Sequence, residues 1–162
     1  FVLKRHKTAL LVLFFKNKEM RPILKKILRQ FLSRQNFQGK FPNYRRIESD
    51  MLHLLSVEFD KYGGAFFLEL AICPAKNLQT SWGESISVDE LTAAHMPPED
   101  RVRLQATADH HSLPEDWFRF DSLSDESELW QLAEQIIDLF PQVNDWFRNK
   151  KAGANIYSVK TK

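Results

Sequence analysis

The sequence predicts an α+β domain: an antiparallel sheet of about five strands with an N-terminal and a C-terminal helix packed on one face. Three observations lead there. Apolar residues recur at helical spacing near both ends of the chain. Short segments between them alternate apolar and polar residues, and Gly, Pro, Ser and Asp punctuate those segments.

The first helix is expected over residues 20–35. Met20, Ile23, Leu24, Ile27, Leu28, Phe31 and Leu32 form one apolar stripe, while Lys25, Lys26, Arg29 and Arg34 take the remaining faces. Pro22 suits a first turn, where its missing N–H costs nothing. Residues 43–49, 51–62 and 65–73 read as three successive strands, bounded by Pro42, Ser49-Asp50, Gly63-Gly64 and Pro74. Residues 75–100 are loop-like, with a short helix at 88–95 and a stop at Pro97-Pro98. Residues 101–107 and 117–121 alternate as two further strands. Ser122 or Ser124 caps the last helix, and Asp125, Glu126 and Glu128 stand where the helix dipole favours negative charge. Its stripe is Leu129, Leu132, Ala133, Ile136, Ile137 and Phe140. Pro141 ends or kinks it, and Val143, Trp146 and Phe147 suggest another apolar-faced turn.

One domain is thus expected over residues 20–152, between an N-terminal extension (1–19) and a C-terminal tail (153–162). The extension opens FVLKRHKTALLVLFF, which resembles a crude signal peptide. Its apolar run is too short to span a bilayer and no small-residue cleavage site follows, so an extra strand or helical turn packed on the domain is the expectation. The single cysteine, Cys73, excludes an internal disulfide framework and fits a reducing, cytoplasmic setting. It reads as a small buried apolar residue near a strand end.

The formal net charge of +2 conceals an asymmetry. Residues 1–50 carry 13 Lys and Arg against 3 Asp and Glu, whereas residues 84–145 carry 3 against 15. A basic segment of this kind serves nucleic acid or anionic lipid, or it neutralises the acidic half within one fold. No aromatic-basic repeat or nucleic-acid motif accompanies the charge, which favours neutralisation.

A two-residue turn at Gly63-Gly64 sets an expected register in which Phe59 faces Leu68, Val57 faces Leu70 and Leu55 faces Ile72. The same register places Glu58 opposite Glu69 on the other face, with Asp60 next along. Like charges directly opposite require compensation. Alternation offers Arg45, Arg103 and Arg119 on that face, so the candidate cluster is Arg45, Glu58, Asp60, Glu69, Arg103 and Arg119. Such a cluster suits acid–base chemistry, cation binding or recognition of a charged partner. It equally suits an ion-pair lattice on the polar side of a sheet, the simpler reading.

Other constellations carry less. Asp109-His110-His111 spells the motif heading a phosphoesterase family, but the further acidic metal motifs that family needs are lacking, and a solvated polar loop is expected. His95 and Cys73 do not extend it, since no metal-ligand spacing joins them. Neither a nucleophile elbow, a phosphate loop nor a dinucleotide fingerprint occurs, so no cofactor or metal is expected.

The stretches FPNYRR (41–46), LLSVEFDKYGGAFFLELA (54–71), RVRL (101–104) and DWFRFD (116–121) resemble the bacterial family catalogued as domain of unknown function 4304. The resemblance covers residues from about 21 to about 148, with Phe-Asp-Lys-Tyr-Gly-Gly its most specific part. It implies an α+β bacterial domain that usually stands alone and has no established activity. By motif it draws attention to Arg45, Arg46, Asp60, Lys61, Gly63, Gly64, Glu69, Arg101, Arg103, Trp117 and Arg119. By analogy with small bacterial proteins of this kind, the expected function is non-enzymatic protein binding, as in an immunity protein that neutralises a toxin. The alternative is a small hydrolase or metal-dependent enzyme using the carboxylate and arginine cluster.

Overall fold

The computed structural model of the protein describes residues 2–108 and 112–159, with side chains from residue 16 onward. The Asp109-His110-His111 run therefore lies outside the described residues.

Helix α1 runs from Val2 to Arg34, so the segment read as an extension is helical and continuous with the predicted helix, with Pro22 inside it. Strands β1 (Gln38–Lys40), β2 (Asn43–Glu48), β3 (Met51–Phe59) and β4 (Ala65–Pro74) follow as a meander. A small hairpin of β5 (Leu78–Gln79) and β6 (Ser85–Ile86) forms a separate two-stranded sheet. The helix expected at 88–95 is instead two single 3₁₀ turns, Val88–Glu90 and Ala93–His95. Strand β7 covers Arg101–Leu104 and β8 only Phe118–Arg119, both shorter than their alternation suggests. Helix α2 (Glu126–Asn149) passes through Pro141 without ending. Its cap is Asp125, not Ser122 or Ser124: Asp125 accepts from the Glu128 amide at 2.9 Å. Ser124 instead donates its amide to the Glu128 carboxylate at 2.7 Å. Strand β9 (Ile156–Ser158) lies in the stretch read as a tail and pairs with β7.

Every pairing in the main sheet is antiparallel, in the order β1-β2-β3-β4-β7-β9, with β8 bonded to β4 beside β7. The turn at Ser49-Asp50 is the two-residue one, with both residues at positive φ. The Gly63-Gly64 hairpin is longer. Asp60 and Ala65 close it through an N–H···O bond of 2.9 Å, leaving Lys61 to Gly64 as the loop. The expected register is thereby corrected: Phe59 faces Phe66, Val57 faces Leu68 and Leu55 faces Leu70. A shift of two preserves alternation, so each residue keeps its expected face while its direct partner changes.

One core cluster joins Leu24, Leu28 and Leu32 of α1 and Leu129, Ile136 and Phe140 of α2 to Leu55, Val57, Phe66, Leu68 and Leu70 of the sheet. Alternation puts those sheet residues on a single face. On the opposite face, a second and smaller cluster packs Leu52, Leu54, Ala71 and Cys73 under Leu91, Ala93 and Met96. The segment 75–96 is therefore a cover for half of that face, and Cys73 is buried beneath it.

Candidate functional site

The uncovered half of the second face carries the charged residues. One row of direct partners crosses five strands there: Asn43 on β2, Ser56 on β3, Glu69 on β4, Arg103 on β7 and Tyr157 on β9. Ser56 donates to the Asn43 side-chain oxygen at 2.7 Å. Glu69 is buried at the centre of the row, accepting from Arg101 at 2.8 Å and standing 3.9 Å from Arg103. Arg101 is itself fixed by donating to the Met96 carbonyl at 2.7 Å. The Arg103 guanidinium lies 4.3 Å from the Phe67 ring centre and 5.8 Å from that of Trp117, which are packed on each other. Burial holds Arg103 below the usual guanidinium range, partly offset by the Glu69 charge.

Glu58 does not oppose Glu69. Its direct partner is Phe67, while Ser56 stands opposite Glu69, because the hairpin loop is two residues longer than a tight turn. The two carboxyls still feel each other: burial first, then Glu69, pushes the Glu58 carboxyl above its usual range, with Arg101 and Arg103 acting against that rise. Glu58 itself makes no ion pair among the described residues. Arg103, whose charge acts on Glu58, has a buried Nε without a hydrogen-bond acceptor, as has the Nε1 of Trp117 packed on Phe67.

The other three sequence candidates sit apart from this centre. Asp60 caps its own turn by accepting from the Tyr62 amide at 3.0 Å. Arg119, opposite Ala65, forks onto Asp121 at 2.6 and 3.2 Å and donates to the Pro114 carbonyl at 2.9 Å. The Asp60 charge reaches Arg119 as a secondary influence, so these two belong to the hairpin end of the face. Arg45 faces Leu54 and lines a cleft near the β1–β2 hairpin, away from Glu69. The six residues therefore form three groups, not one lattice.

A further polar centre lies on the helix-covered face. Arg46 is buried with 3% exposure and stands opposite His53. Its Nε donates to His53 Nδ1 at 3.1 Å, and its remaining nitrogens reach the Gln35 carbonyl at 3.2 Å and Asn144 Oδ1 at 3.0 Å. The guanidinium lies over Phe37 at 4.5 Å, and the His53 ring stacks on Phe147 at 4.5 Å. Burial and then the Arg46 charge lower the His53 pKa to about 4, leaving a neutral ring whose Nδ1 accepts. Glu48 completes the centre, 3.5 Å from Arg46 and bonded to Arg148 at 2.8 Å. The alternation Tyr44-Arg46 on β2 and His53-Leu55 on β3 carried the signal, since it places both polar residues among core-facing positions. This centre ties the end of α1 and the last turns of α2 to the sheet.

Among the described residues, no group of three or more His, Cys, Asp or Glu gathers as a metal site, and no helix is long and apolar enough to cross a membrane. The family model described as domain of unknown function (DUF4304) matches residues 28–149, well over half of the chain. No curated protein and no solved structure matches it.

Proposed function

The chain belongs to the DUF4304 family, and from that premise we propose that it is a non-enzymatic protein-binding module, such as an immunity protein that neutralises a toxin in the bacterial cytoplasm. The observation that carries this reading is the condition of Glu69. Its carboxylate is committed to Arg101 and Arg103 and is buried, so it is a poor proton carrier or nucleophile. A recognition surface lies nearby: Glu84, Asp89 and Glu90 are exposed along the cover segment, and Trp82 stands out from it at 73% exposure. Exposed Trp among acidic residues suits a basic partner with an apolar pocket. Co-expression with the product of each flanking gene tests the proposal. The expected outcome is a complex stable to size-exclusion chromatography and relief of growth inhibition by one such product. Failure to form a complex or to relieve inhibition with every neighbour would overturn it.

A second reading, a small hydrolase, draws on one observation. Glu58 is a half-buried carboxyl with a raised pKa within the electrostatic reach of Arg103, whose Nε is unsatisfied, a setting that suits a general acid. It requires an ester or phosphoester activity that Glu58→Gln abolishes. A substrate panel showing equal background rates for the two proteins removes it.

A further inference from the structure

The cleft at the β1–β2 hairpin differs from the rest of the charged face in that its arginine has no carboxylate partner among the described residues. It has a volume of about 480 Å³ and is lined by Lys40, Phe41, Asn43, Arg45, Asp89 and Thr92. The hairpin is held close by Gly39, which takes φ +110°; a Cβ there would meet the Asn43 carbonyl oxygen at 2.6 Å. Arg45 forms no ion pair among the described residues, and its Nε is buried with no acceptor. The other arginines of the same face each have a carboxylate counter-charge, although Arg103 Nε lacks a hydrogen bond: Arg101 and Arg103 pair with Glu69, and Arg119 with Asp121. The Asn43 side-chain oxygen is occupied by Ser56, which leaves the amide N–H groups of Asn43 as the outward donors.

An arginine that lines a cleft without a carboxylate of its own offers its guanidinium fork to an entering anion, and carboxylate geometry matches that fork. Lys40 adds a second positive charge, while Asp89 limits the excess to one. That balance favours a single carboxylate over a doubly charged phosphate. We propose that the Arg45 cleft is a carboxylate-binding site, in which Arg45 and Asn43 hold the carboxylate of a free organic acid or of a partner's acidic side chain against Phe41. Beside such a side chain, Asp89 would accept a neighbouring basic residue. The proposal does not depend on the protein-binding reading, since a free acid would occupy the site equally well.

The test is a ¹H–¹⁵N NMR titration with sodium acetate, sodium phosphate and sodium chloride at matched ionic strength, following Arg45 Nε–H and the amides of Lys40 and Asn43. Acetate is expected to move these signals to saturation and chloride is not. Arg45→Lys keeps the charge without the fork and is expected to weaken acetate at least about fivefold. Asp89→Asn is expected to tighten it about threefold, the effect of one unit charge removed across a few ångströms of water. A blocked peptide carrying Asp beside Lys, if tighter than acetate in wild type but not in Asp89→Asn, assigns the site to a protein side chain; equal affinity assigns it to a free acid. Acetate shifts that match chloride overturn the proposal, as does unchanged acetate affinity in Arg45→Lys, whose dispersed spectrum would establish that it folds. Tighter saturation by phosphate than by acetate overturns the assignment to carboxylate.

Discussion

Glu58 and Glu69 share a sheet face yet stand in opposite energetic positions. Glu69 is a buried charge answered by two arginines, and its removal leaves Arg101 and Arg103 close together without their ion-pair partner, with only the more distant Glu58 to answer them. Glu69→Gln is therefore expected to cost about 3 kcal/mol in urea unfolding, as for other broken buried pairs. Glu58→Gln is expected to cost nothing, since the fold already disfavours the charged form that the substitution deletes. Equal losses in the two variants would contradict this division. His53 gives the protein a pH dependence with a defined sign. Its pKa is about 4 folded against 6.5 in the reference state, so the unfolded chain binds the proton more readily. The stability that His53 contributes is complete above about pH 6.5 and declines as pH falls through 4, by about 3 kcal/mol in all. Unfolding free energies at pH 7.5, 5.5 and 4.5 check this, with His53→Gln expected to flatten the slope while retaining an acceptor for Arg46. Glu48, whose pKa is lowered chiefly by its bond to Arg148, adds its own loss only below the ordinary carboxylate range.

At the scale of elements, the two hairpins explain which parts of the sequence were readable. Ser49-Asp50 joins β2 and β3 as a tight turn, and the pairing Arg46 with His53 follows from it by counting. Gly63 and Gly64 stand at φ +82° and +84°, so their identity as turn residues was legible. The length of that turn was not, because it depends on where Asp60 and Ala65 close the ladder rather than on the glycines. Each of Gly63→Ala and Gly64→Ala is expected to cost about 1–2 kcal/mol, the steric penalty of the left-handed region for a side chain. Circular dichroism melts check it, and a loss at one position only would show that the loop readjusts around the other. Both apolar helix stripes were legible from their spacing. The α2 cap was misplaced by a residue or more since serine and aspartate both suit it, and only the bond to the Glu128 amide distinguishes Asp125. Asp125→Ala should cost about 1 kcal/mol, measured by the same melts. The short strand β9 carries three residues with no clear alternation, and its pairing to β7 is a tertiary fact that local pattern does not encode.

The molecule as a whole is one sheet serving two unequal cores, and its charge follows that division only in part, since α2 with its cap carries Asp125, Glu126, Glu128, Glu134, Asp138 and Asp145 in the same layer as α1. Exposed Lys25, Lys26 and Arg29 of α1 lie on the helix side, where Glu99 and Asp100 share a cleft with Trp146 and Lys150, whereas Asp89 and Glu90 lie with the cover segment on the other. Neutralisation within the fold is thus partial. Lys16 lies near Glu128, but the cover's acids face away from α1. The second core was illegible because Leu91, Ala93 and Met96 come from 3₁₀ turns and loops without periodic spacing. Its small size has a dynamic consequence. The cover has few buried apolar residues of its own, so it should open locally with a lower free energy than the sheet. Cys73 lies beneath it and is the chain's single cysteine, which makes its thiol a reporter of that opening. Leu91 is 1% exposed at the centre of the cover, and truncating it removes much of what holds the segment down. Leu91→Ala is expected to weaken the cover by about 2–3 kcal/mol and so accelerate Cys73 alkylation by roughly 30- to 150-fold. Amide exchange in β3 and β4 should change much less, because those strands are held by the larger core. If Cys73 labelling and β3–β4 exchange accelerate together, the cover and the sheet unfold as one unit and the two-core description fails.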